Sequence, residues 1–93
     1  MTICYTDQAK NDVESAFTWY ELQRSGLGLE FLFHLERTID HILDYPQAGA
    51  PCHNTLRRKL TPKFPFSVFY TLEEDRIIIH AVFDNRKNPA KAP

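Results

Sequence analysis

Glycine is scarce: Gly26, Gly28 and Gly49 are the only three in 93 residues. A glycine-rich loop that cradles phosphate with backbone N–H groups cannot be built from them. Cysteine is rarer still. Cys4 and Cys52 form no CxxC spacing, so nothing suggests a redox or zinc motif, and in a reducing compartment both stay thiols. No GxSxG sequence marks a nucleophilic serine. No apolar run approaches the roughly 18 residues a membrane span needs. The opening MTICYTDQAK lacks the apolar stretch of a secretion signal. A cytoplasmic chain without membrane association is the expectation.

What is present suits one small globule. Hydrophobic residues make up 43% and charged residues 25%, which excludes disorder. Ninety-three residues are enough for a single domain spanning 1–93 and exclude a large multidomain enzyme. The formal charge of −1 argues against a free-standing nucleic-acid binder, yet it hides an asymmetry. Residues 1–50 hold eight acids against three bases, and residues 51–93 hold four acids against eight bases. A basic half of this kind suits an anionic partner.

Hydrophobic periodicity supplies the elements. Residues 2–6, rich in β-branched and aromatic side chains, read as a strand. Thr6 or Asp7 can cap the helix that follows, whose stripe is Ala9, Val13, Ala16, Phe17 and Tyr20. Gly26 can end it in a left-handed conformation. A second helix runs from about Leu27 to Asp44 on Phe31, Leu32, Leu35, Ile39, Ile42 and Leu43, and Pro46 stops it. Leu29 and Phe33 lie beside that stripe, either widening the buried arc or forming an apolar strip for a partner to cover. Residues 46–54 read as a loop.

The period then becomes two, with strands at 56–60, 66–72 and 76–83. The last is apolar on nearly every residue, as strands covered on both faces are, and Ile78, His80 and Val82 fall on one side by alternation. The expected fold is α+β: an N-terminal strand and an α-helical hairpin on one face of a mostly antiparallel four-stranded sheet.

Catalytic patterns find little support. His34 and His41 are seven apart on one helix, too far for one ion, and His53 and His80 fall on other elements, so no metal site or cofactor is expected. The acids are scattered over helix surfaces. The basic residues remain: Arg57, Arg58, Lys59 and Lys63 on one strand, and Arg86, Lys87 and Lys91 after the last. If they gather at one sheet end, they suit phosphate or an acidic protein surface. RNA cleavage would also need an acid–base side chain, and the tail 84–93 has no Tyr, His or Glu.

The ordered segments resemble a known family. DVESAFTWYELQRSGLGLEF (12–31) is similar to the first helical hairpin of the RelE/ParE toxin superfamily, and RRKLTPKFPFSVFYTLEEDRIIIHAVFDNRKNP (57–89) to its sheet. The resemblance implies the toxin of a bacterial type II toxin–antitoxin (plasmid-stabilisation) system. Such a toxin arrests growth, is neutralised by a cognate antitoxin that folds on binding, and meets operator DNA only through that antitoxin. Leu29, Phe33, Ile78, His80 and Val82 are the candidate antitoxin contacts. The Phe-Pro-Phe and Ala-Val-Phe pieces look ParE-like, which implies a non-enzymatic inhibitor of DNA gyrase with Arg57, Arg58, Lys59, Arg86 and Lys87 as candidate contacts and no catalytic residue. A ribosome-dependent mRNA endonuclease of the RelE kind, or a toxin fold without toxicity, are the alternatives.

Overall fold

The computed structural model describes all residues 1–93. Strand β1 (Thr2–Tyr5) leads into helix α1 (Asp7–Gln23), and Thr6 is the cap between them. Its hydroxyl accepts the Ala9 N–H at 3.1 Å, satisfying one orphan donor of the first turn, and donates to the His80 carbonyl at 3.0 Å. One side chain thus starts the helix and ties it to a distant strand.

Helix α2 (Leu27–Asp44) follows after a tight reversal at Gly26, which sits at φ +89°. The bare N–H groups at the start of α2 would otherwise be unpaired. The Glu21 carboxylate accepts those of Gly26 and Gly28, at 3.2 and 2.8 Å, where the helix dipole also favours an anion. Gly28 has a steric reason as well. A Cβ there would lie 2.8 Å from Phe17, so only glycine lets the two helices approach this closely.

Strands β2 (Ala50–Pro51), β3 (Arg57–Leu60), β4 (Phe66–Glu73) and β5 (Arg76–Asp84) complete a sheet of order β1-β5-β4-β3-β2. Only the β1–β5 pair is parallel. The sheet therefore has five strands, not the four expected. The extra one lies inside the segment read as loop, because two residues are too short for periodicity to show, and Pro51 is tolerated at a sheet edge. The mostly antiparallel sheet and the helical hairpin agree with expectation.

Phe66, Val68 and Tyr70 of β4 join Phe31, Leu35, Ile39 and Ile42 of α2 and Ala9, Ala16 and Tyr20 of α1 in one core. Tyr20, Phe31, Phe64 and Phe66 form its aromatic end, with neighbouring ring centroids 4.9–6.2 Å apart. The opposite sheet face is largely self-covered. Phe69 is buried there, with Phe83 edge-on at 6.4 Å. A short 3₁₀ turn, Pro89–Lys91, follows β5.

Strict alternation fails at one point in β5. Tyr70 pairs with Ile79 and Phe69 with Ala81, so His80 is left without a partner. This bulge flips the phase of everything after it. Val82 consequently points into the helix-covered core, where it is 2% exposed, while Ile78 and His80 stay half-exposed. The expectation that Ile78, His80 and Val82 share one accessible face is corrected for Val82.

Candidate functional site

The basic residues expected to gather at one sheet end are divided among three environments. Neighbours in a strand point to opposite faces. Arg57 and Lys59 sit opposite Tyr70 and Val68, on the helix-covered side, whereas Arg58 sits opposite Phe69 on the other. The Arg57 guanidinium donates to the carbonyls of Gly49 (2.8 Å) and Gln47 (3.2 Å). The Tyr70 hydroxyl holds the same loop, donating to the Pro46 carbonyl and accepting the Gly49 N–H, each at 2.8 Å. Arg57 is thereby committed to fixing the loop.

Arg58 belongs to a polar network on the helix-free face. Its Nε donates to Ser67 Oγ at 2.8 Å, and that hydroxyl donates to Asn85 Oδ1, also at 2.8 Å. Burial of Ser67 makes this network a fixed mount for the guanidinium.

The third environment is a groove between α1 and the part of β5 that β1 does not cover. It encloses about 780 Å³. Trp19 and Tyr20 come from α1, Asp84 from the end of β5, and Arg86, Lys87 and Lys91 from the segment that follows. Arg86 is the hinge of the arrangement. Its Nε and an Nη donate to the two Asp84 oxygens at 3.0 and 2.8 Å, and its guanidinium lies 5.2 Å from the Trp19 ring centroid. The hydrogen bonds from Arg86 hold the Asp84 carboxyl below the usual carboxylate range, and Asp84 in turn raises the Arg86 guanidinium.

Beneath them lies the Tyr20 hydroxyl, buried and without a hydrogen-bond partner. Burial raises its pKa, with Arg86 opposing, so it is a neutral donor at physiological pH. Trp19 and Tyr20 are not among the contacts expected from the sequence. The available signal was Trp19 itself, a large aromatic outside the α1 stripe, and it is 47% exposed.

The remaining expected contacts lie elsewhere. Leu29 and Phe33 are 63% and 55% exposed, so they do not widen the buried arc of α2. Arg37 covers part of the Phe33 ring at 5.6 Å. The His80 ring is 2.8 Å from the Thr71 hydroxyl.

A family profile described as the ParE toxin of the type II toxin–antitoxin system parDE matches residues 3–89. The chain belongs to the ParE toxin family. A solved structure titled as the chromosomal ParDE toxin–antitoxin system from P. aeruginosa has the same fold, with a TM-score of 0.79 at 16% identity. The match covers 90% of this ParE-family chain and 95% of the other. No curated protein sequence matches significantly. In this family member, no helix is long and apolar enough to cross a membrane.

Proposed function

We propose that the chain is a toxin neutralised by a cognate antitoxin in the cytoplasm, and that it acts by binding and inhibiting DNA gyrase. The observation that carries this reading is the family match over nearly the whole chain. The electrostatics of the tail support a binding role over cleavage of RNA. A guanidinium that stabilises phosphorane charge must be free to meet it, and that of Arg86 is already held by both oxygens of Asp84.

Arg58, Lys59, Arg86 and Lys87 are the proposed gyrase contacts, with Arg57 acting indirectly through the loop it holds. The exposed Leu29 and Phe33, with half-exposed Ile78 and His80, are the proposed antitoxin contacts. Val82 contributes no side-chain surface to either. Operator DNA is reached only through the antitoxin.

The test is a supercoiling assay with purified chain in excess over gyrase, with and without antitoxin. Inhibition relieved by antitoxin, and weakened by Arg58→Ala or Lys87→Ala, is expected. Unchanged supercoiling together with codon-positioned cuts in translated mRNA replaces this reading with the ribosome-dependent nuclease.

A further inference from the structure

The groove between α1 and β5 brings together three features, of which only Lys87 is also used by the toxin reading. One is the Tyr20 hydroxyl, in a residue 6% exposed and with no hydrogen-bond partner. A buried donor left unpaired is destabilising, and a ligand oxygen reaching it relieves that cost. Another is the half-exposed Trp19 indole at the groove wall. The last is a pair of cations. The two ion pairs of the chain are Arg24–Glu30 and Arg86–Asp84, which leaves Lys87 and Lys91 without a carboxylate partner.

We propose that this groove is a binding site for a nucleoside phosphate. A planar base packs on the Trp19–Arg86 pair, the phosphates meet Lys87 and Lys91, and a sugar or phosphate oxygen accepts from the Tyr20 hydroxyl. The chemistry selects this class over simpler ligands. Inorganic phosphate uses the ammonium groups and wastes the indole, while an uncharged ring does the reverse. The volume, about 780 Å³, lies within the ordinary range for small-ligand sites. Asp84 sets the geometry by holding Arg86 over the indole, and its charge is already matched there, so it repels incoming phosphate less than a free carboxylate. Asp12, the other acid of the groove, is likewise occupied by the Val82 and Gln8 donors.

The site shares Arg86 and Lys87 with the proposed gyrase contacts, and it is tested in the absence of gyrase. The full chain is titrated by calorimetry with ATP, AMP, adenosine and tripolyphosphate, and the fluorescence of Trp19, the only tryptophan, is followed in parallel. ATP is expected to bind more tightly than either adenosine or tripolyphosphate, with a change in Trp19 emission and weakening at higher salt. Tyr20→Phe keeps the ring in the core and is expected to weaken ATP about three- to tenfold, one hydrogen bond's worth. Lys87→Gln with Lys91→Gln lies outside the core and is expected to weaken ATP more than adenosine. Circular dichroism checks that each variant is folded. Equal binding of ATP and tripolyphosphate means non-specific polyanion attraction and overturns the proposal. So does ATP binding unaffected by the lysine pair. A groove that ignores ATP but takes a glutamate-rich peptide is a protein-docking surface, and the proposal fails there too.

Discussion

Oδ2 of Asp12 in α1 accepts the backbone N–H of Val82 in β5 at 2.9 Å, across seventy residues of chain. The end of β1 at Tyr5, paired with Ile79, is what makes this bond necessary. Past that point β5 loses its neighbour and its outward backbone groups need new partners. Thr6 takes the His80 carbonyl and Asp12 takes the Val82 N–H, so α1 completes the sheet edge with side chains.

Removal of that carboxylate therefore acts on β5 as well as on α1. Asp12→Ala is expected to destabilise the chain by about 1–3 kcal/mol, the cost of an unpaired buried donor. Asp12→Asn keeps an acceptor and is expected to lose less. Urea denaturation of both variants measures the difference, and equal stability of Asp12→Ala and the native chain would remove this role.

The loop before β2 is held by close packing on a tyrosine. A Cβ on Gly49 would stand 2.6 Å from the Tyr70 hydroxyl. Gly49→Ala is expected to cost about 1–3 kcal/mol through overpacking. Tyr70→Phe deletes the bonds to Pro46 and Gly49 without a clash and is expected to cost about 1–2 kcal/mol. Thermal denaturation distinguishes these from a loop with no part in stability, for which both variants match the native chain.

Asp84 gives the fold an acid-sensitive link. Its carboxyl titrates below the ordinary range because Arg86 donates to it. A depressed folded-state pKa contributes stability above the unfolded value, and that contribution is lost as pH falls through the folded one. Arg86 is half-exposed, so the pair is worth about 1 kcal/mol or less. Asp84→Asn is expected to be less stable than the native chain at neutral pH and equal to it in strong acid. A pH series of melting temperatures shows this as two converging curves; a constant gap contradicts it.

The exposed strip on α2 separates binding from folding. Leu29→Ser and Phe33→Ser are expected to leave stability within about 0.5 kcal/mol, since both side chains face solvent. Under the proposed function they weaken antitoxin capture by on the order of tenfold or more. Calorimetric titration with the antitoxin reads this directly, and native affinity in the double variant would place the antitoxin elsewhere.

Local chemistry written along the chain determined the elements and their order. The α2 stripe, Gly26 at the turn, Pro46 after the helix and the alternation of β4 are each decided within a few residues, so the helical hairpin and the main strands were legible before any coordinates. The two-residue β2 was not, because it exists only through pairing with β3. Nor was the burial of Val82, since a bulge is a mismatch between two strands and leaves no mark in one. The site depended on tertiary structure most of all. Runs such as Arg57-Arg58-Lys59 look like one patch in sequence, but a pleated strand sends successive side chains to opposite faces, and each guanidinium then finds the partner its own face offers. Trp19 and Arg86 are far apart in the chain and meet only because α1 crosses the open end of β5.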